Sequence, residues 1–389
     1  MERLFAAARK RERIIVGLNS GTSVDGTDVA VVRFTGRGAA TRLTTMATGS
    51  FPHPDDLRTR LLRAPELSCE EVCRLHRDVA AAFAEAALRV LDSAGIPLET
   101  VDAVGSHGQT VCHLPESDGF GATTLQIGDP DLLAARLGLP VIADFRAADT
   151  AVGGLGAPLM PYLDLVLFRD APGTLTLNLG GITAVTFVPD DPIRTTAFDV
   201  GPCNVVLDLL AAAATDGRFR CDEDGRIAAA GVVRPDLLRR LLAHPFFGRI
   251  PPKTSGREEF GRNYVARLLS RAKEEGIATA DLLATHTALV GRSIAAAVDA
   301  FLTGGRSGLR QVVASGGGVA NPTLMAGIAA ALAPIPVRPL SVADGLPPEA
   351  KEAVLFALLA HARLDGEPSN LPAATGAARA VSLGKIAGG

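Results

Sequence analysis

Two segments of this chain share one pattern, and that repetition constrains the fold more than any other feature. Residues 14–18 are a short apolar run, a glycine-punctuated polar turn follows, and 28–34 (DVAVVRF) resume strand character. Residues 174–179, the turn Gly180-Gly181 and residues 184–188 repeat it. Runs rich in β-branched residues, interrupted by Gly, Asn and Asp, read as antiparallel hairpins. Each hairpin is followed by helices and further strands. Residues 69–94 carry Val72, Leu75, Val79, Phe83, Ala87 and Val90 at helical spacing. Residues 311–314 read as a buried strand running into Gly316-Gly317-Gly318 and a helix from about 321. Such an echo predicts two similar α/β domains facing one another across a cleft, where ligands commonly bind.

Length agrees with more than one domain. The chain has 389 residues, and domains run to ~150 residues. The expected division is 1–140 plus approximately 370–389 for an N-terminal domain, and 141–369 for a C-terminal one. The segment GGLGAPLMP (153–161) is the candidate crossover or hinge. A net charge of −3 gives no reason to expect nucleic acid. No apolar run approaches the ~18 residues of a membrane span. The basic start, MERLFAAARKRER, lacks the apolar stretch of a secretory signal and reads as a solvated, frayed extension. Cys69, Cys73, Cys112, Cys203 and Cys221 are scattered, without a second Cys/His pair for zinc. A reducing cytoplasm is the expected compartment.

Chemistry concentrates in the turns. The first reads GLNSGTSVDGTD over residues 17–28, with glycines, hydroxyls and carboxylates in one hairpin. Backbone N–H groups and hydroxyls of Gly21, Thr22, Ser23, Val24, Gly26 and Thr27 can hold phosphate oxygens, and Asp25 can act on a phosphate-bound Mg²⁺. A plain polar turn would look similar. It is neither a P-loop nor a dinucleotide fingerprint. Asp199, in FDVGPCN (198–204), could cap the helix that begins near Asn204 or close an Asx turn.

The twelve-residue turn resembles the phosphate-binding signature of the anhydro-N-acetylmuramic acid kinases. The resemblance continues through GSHGQTVCHLP (105–115), TLQIGDP (124–130), ADFRAADTAVGGLGAPLMP (143–161), NLGGI (178–182), FDVGPCN, PPKTSGREEF (251–260) and SGGGVANP (315–322). It implies an actin/hexokinase/chaperone ATPase-type chain of two ribonuclease-H-like domains, with ATP and sugar bound in the cleft between them. The implied reaction opens the internal 1,6-anhydro ether of the sugar with water and transfers the γ-phosphoryl group of ATP to O6, giving a sugar 6-phosphate for cell-wall recycling. The resemblance makes Asp199 the base that deprotonates the water. It places Gly21–Asp28 (Asp28 chiefly as a turn stabiliser), Gly180, Gly181, Gly316, Gly317 and Gly318 around ATP. Asp25 and Glu352 become candidates for Mg²⁺, and His107, Arg146, Asp149 and Asn204 for the sugar. Lys253 and Arg257 are further cleft candidates, and a homodimer is expected. Asn19, Val200 and Cys203 depart from the family's usual Met, Thr and Gly. A levoglucosan-type kinase and a non-catalytic ATP-binding sensor are the alternatives.

Overall fold

The computed structural model describes residues 2–114 and 121–388; Pro115, the last residue of one motif, lies outside them. The chain forms two compact units. Residues up to Leu167 together with those from Ser341 onward make the first, and Phe168–Leu340 make the second.

The first unit is built on β1 (Glu12–Ser20), β2 (Gly26–Thr35), β3 (Arg42–Pro52), β4 (Ala103–Leu114), β5 (Thr123–Ile127), β6 (Val141–Ala143) and a last strand, Lys385–Ala387. Strands β1, β2 and β3 form an antiparallel meander, while β4 runs parallel to β1 and β6 parallel to β4. The order is Lys385–Ala387, β6, β4, β1, β2, β3, with β5 on the end of β4. Helix Cys69–Ser93 opens with a capping box between Ser68 and Glu71, which satisfies two otherwise orphaned N–H groups. It buries Leu75, Val79, Phe83 and Val90 in one core with Val16, Val29 and Val31 of the sheet.

Helix Lys351–Leu364 packs against β1, β2 and β4. It comes closest at two glycines. A Cβ on Gly17 would lie 1.9 Å from the Ala353 carbonyl oxygen, and one on Gly105 would lie 2.1 Å from that of Phe356. Backbone therefore meets backbone, an approach that side chains would prevent.

The second unit repeats the plan with β7 (Thr174–Leu179), β8 (Ile182–Val188), β9 (Thr196–Pro202), β10 (Gln311–Ser315) and β11 (Val337–Pro339). Again three strands form an antiparallel meander and two are parallel to the first of them. The order β11, β10, β7, β8, β9 matches β6, β4, β1, β2, β3 of the first unit, which adds β5 and Lys385–Ala387. Both are ribonuclease-H-like sheets. The core joins Leu175, Leu177 and Phe187 to helix Thr279–Phe301 through Leu289, Val290 and Ile294.

Three expectations change. The units part at 167/168 and 340/341 rather than at 140 and 369. The reason is that β6 pairs with β4 and helix Lys351–Leu364 covers the first sheet. The segment 153–161 belongs to the first unit and is pinned by Asp149, so it is no hinge between units. The basic start is helix Glu2–Arg9, with Ala7 2% exposed, and Arg13 is buried in an ion pair with Asp365 at 2.7 Å.

Candidate active site

In the first unit the β1–β2 turn is held from beneath. Ser20 Oγ donates to Gln109 Oε1 at 2.5 Å and lies 3.0 Å from His53 Nε2. Gln109 Nε2 in turn donates to the Gly21 carbonyl at 3.2 Å. The turn closes through Val24 N–H to the Gly21 carbonyl at 3.0 Å. Val24 sits at φ 56° with its side chain in the core, an unfavourable backbone region for a β-branched residue. Thr22, Ser23 and Asp25 stay exposed. A Cβ on Gly21 would meet nothing nearer than Ser23 Oγ at 3.8 Å, so the fold itself does not demand glycine there.

Carboxylates gather at the base of this turn. Asn19 Nδ2 donates to Glu352 Oε2 at 2.5 Å. The Glu352 carboxyl is raised from its ordinary pKa, first by desolvation and then by the charge of Asp28. Asp28 is raised as well, by burial and by Asp25, against a hydrogen bond from Ser50 that lowers it. Asp25 instead reaches outward, 3.6 Å from Arg58. The charge of Asp28, rather than that of Asp25, thus acts on Glu352. Among the described residues no group of three or more His, Cys, Asp or Glu is placed to hold a metal.

His107 stacks on Phe356 with centroids 4.4 Å apart. Arg146 Nε donates to His107 Nε2 at 3.0 Å. Nε2 is therefore the acceptor, Nδ1 carries the proton toward the Gly108 carbonyl at 3.2 Å, and the ring is neutral. Burial and then the Arg146 charge hold its pKa well below the usual value. With both nitrogens engaged, His107 is not a metal ligand. Arg146 also donates Nη1 to the Gly156 carbonyl at 2.8 Å, and burial lowers its pKa to about 10. Asp149 is fully buried, accepting from Gly156 N–H at 2.8 Å, Asn370 at 2.6 Å and Thr375 at 2.7 Å. Its carboxylate is engaged by the protein, and Asp149 braces the loop on which Arg146 stands.

In the second unit Asp199 lies within β9, paired with Ala184. It does not cap the following helix, Asn204–Ala214, whose N-cap is Cys203 without a side-chain bond. That helix is capped from the β7–β8 turn. Asn204 N–H donates to the Gly180 carbonyl at 3.1 Å, and Cys203 and Val205 N–H donate to that of Gly181 at 2.9 and 3.1 Å. Asp199 Oδ2 accepts from Ser255 N–H at 2.9 Å, and Asp199 N–H donates to the Lys253 carbonyl at 3.0 Å. Burial pushes the Asp199 carboxyl up to about 6; Ser255 N–H opposes this, Glu258 adds to it and Lys253 opposes it.

A cavity of about 410 Å³ lies beside helix Asn204–Ala214, lined by Asn204, Leu207, Asp208, Gly317, Gly318 and Asn321 with the 221–224 segment. Gly316 sits at φ 87°, where a Cβ would be 2.6 Å from Asn178 Oδ1 and 3.0 Å from the Leu179 backbone, so the turn tolerates only glycine. Asn204 Nδ2 is fixed to the Leu179 carbonyl at 3.1 Å. The structure thus groups Asn204 with the glycine turn, whereas His107 and Arg146 belong to the first unit. Asp208 makes no hydrogen bond among the described residues, and burial raises its carboxyl to about 6. Lys253, a cleft candidate in the sequence, is instead buried with its ammonium on the Phe246 and Phe247 carbonyls. Asp208, His53, Gln109 and Ser255 have no role assigned from sequence; Ser255 and Gln109 lie within quoted motifs, and Asp208 and His53 carry no local signal.

Comparison with known proteins agrees along the whole chain. The family model for anhydro-N-acetylmuramic acid kinase matches residues 13–388. Proteins of that name from Salinibacter ruber and Caldanaerobacter subterraneus are 44% and 40% identical, each over 99% of this chain, covering 99% and 100% of their own lengths. One from Gloeobacter violaceus is 43% identical over 96% of this chain and 98% of its own length. The chain belongs to the anhydro-N-acetylmuramic acid kinase family.

Proposed function

We propose that this chain is an ATP-dependent kinase that opens the 1,6-anhydro bond of 1,6-anhydro-N-acetylmuramic acid with water while phosphorylating O6. The observation that carries this reading is Asp199, a carboxylate fixed by Ser255 N–H and with a pKa near 6. A base poised near the working pH is what water activation requires, and such a base contributes ~10²–10⁴ in rate.

Each group has a task. Asp199 takes a proton from the water that attacks the anomeric carbon, and O6 of the opened ring receives the phosphoryl group. The cavity beside Gly317 and Gly318 takes the nucleoside, with Asp208 accepting from its hydroxyl or amino groups. The exposed hydroxyls and N–H groups of the 20–26 turn hold phosphate oxygens. Neutral His107 and Arg146, whose Nη2 makes no hydrogen bond among the described residues, face the sugar; an arginine suits its lactyl carboxylate.

Asp28 and Glu352, two hard oxygen donors of which the first raises the pKa of the second, fit Mg²⁺, which is commonly held by one or two carboxylates plus phosphates and water. Bound there, Mg²⁺ would neutralise charge on the transferring group. This reading moves the metal from Asp25 to Asp28 and keeps Glu352.

The test is ADP release with 1,6-anhydro-N-acetylmuramic acid against levoglucosan. Turnover on the first supports the reading. Turnover on levoglucosan alone overturns the substrate, and turnover on neither overturns the kinase reading.

A further inference from the structure

Among the described residues Lys253 is a buried cation without a carboxylate partner. The residue is 6% exposed. Its ammonium donates to the Phe246 and Phe247 carbonyls, both at 3.2 Å. It also lies 4.8, 4.9 and 5.8 Å from the ring centroids of Phe301, Phe246 and Phe198. Carbonyl dipoles and aromatic faces are the neutral groups best able to hold a desolvated ammonium. The rings come from three places: β9, helix Thr279–Phe301 and helix Pro245–Gly248. The lysine therefore fastens the 251–255 segment to the core of the second unit.

That same segment grips Asp199 twice, through the Lys253 carbonyl and through Ser255 N–H. Phe198, one wall of the cage, is the residue before Asp199. Removing the ammonium would loosen both grips together.

We propose that Lys253 is a positioning residue for the Asp199 carboxylate: its caged ammonium pins the segment whose backbone holds Asp199. This rests on Asp199 being the base. The other charges facing that carboxylate are few. Glu258 opposes ionisation. Glu259 is tied to Ser255 Oγ at 2.9 Å and to Arg249 at 2.7 Å, and Arg249 in turn opposes the charge on Lys253. Lys253 is thus the cation whose field reaches Asp199.

The experiment measures kcat and KM against pH for the full chain and for Lys253→Met, Lys253→Gln and Lys253→Arg, with ATP and the anhydrosugar. Lys253→Met is expected to lower kcat ten- to hundredfold and to leave KM for ATP within twofold. The acid limb of kcat should move to higher pH, because a cation that favoured the carboxylate is gone. Lys253→Gln keeps a donor for the carbonyls, so it tests the same limb shift should Met fail to fold. Lys253→Arg is expected to restore the limb. In an Asp199→Asn background the Lys253 change should add less than twofold. An unchanged kcat and limb in both neutral variants, with Asp199→Asn at least a hundredfold down, overturns the proposal alone. Near-normal turnover of Asp199→Asn removes the base reading itself.

Discussion

The two hairpins have one topology and opposite uses of their turns. Between β1 and β2 the turn presents side chains: Thr22, Ser23 and Asp25 stand exposed, and Ser20, His53 and Gln109 support it from below. Between β7 and β8 the turn is two glycines, and its carbonyls cap helix Asn204–Ala214. One turn is built to offer oxygen and N–H groups outward. The other is consumed in placing the N-terminus of a helix, which is itself electropositive. One repeated scaffold therefore offers polar side chains in one unit and backbone plus the buried Asp199 carboxylate in the other.

The largest effect that would break this contrast is on Asp199. Asp199→Asn is expected to lower turnover at least a hundredfold while ATP binding, followed by titration, stays near normal. The same variant should be more stable at neutral pH. Asp199 binds its proton more tightly folded, near 6, than unfolded, near 4. Stability therefore falls as pH rises between those values, and the full cost of about 3 kcal/mol persists above 6. Thermal unfolding at pH 7 should show the variant stabilised, and the gain should vanish near pH 4. For the native chain, kcat should fall tenfold per unit below pH 6. A flat profile down to pH 5 would contradict the burial that sets this value.

Glycines sharpen the comparison next. A Cβ at Gly316 clashes with Asn178 and the Leu179 backbone, so Gly316→Ala should cost ~1–3 kcal/mol in denaturant titrations. At Gly181 the nearest atom to a new Cβ is Val205 Cβ at 3.7 Å, and at Gly21 it is Ser23 Oγ at 3.8 Å. Gly181→Ala and Gly21→Ala should keep native stability yet raise KM for ATP roughly tenfold, since only a ligand's approach would need the missing side chain. If both variants bind ATP normally, neither turn approaches the phosphates.

Most of this architecture was legible in the chain itself. The hairpins, a helix over 69–94 and the glycine turn after β10 follow from periodicity and turn residues. What escaped was non-local. Strand β3 (RLTTMATGSFP) is Thr-rich and half exposed, so it lacks an apolar stripe. Asp199 lies in a strand because β9 pairs with β8 through Pro202, although Gly201 and Pro202 imitate a turn. Asp149 looks like a ligand contact in sequence. Its partners Asn370 and Thr375 come from more than two hundred residues away, and no local pattern announces them. Asp208 carries no motif; only the cavity it lines singles it out.

The smallest expected effect concerns Asn19, where the family commonly has Met. Its amide donates to Glu352 Oε2 at 2.5 Å, and this bond opposes the desolvation that raises Glu352. A methionine cannot donate. Asn19→Met should leave the fold intact, because the change is confined to one side chain at the end of β1. It should raise the pKa of Glu352 further and so weaken any Mg²⁺ that Glu352 helps to hold, by a few-fold at pH 7 and more at pH 6, where protonation competes. The measurement is the Mg²⁺ concentration giving half-maximal turnover at both pH values. An increase at pH 6 larger than at pH 7 would tie Asn19 to the carboxylate side of the first hairpin. Equal Mg²⁺ dependence in both chains would mean that Glu352 acts only as the first-turn carboxylate of its helix, and the contrast between the hairpins would then rest on the phosphate groups alone.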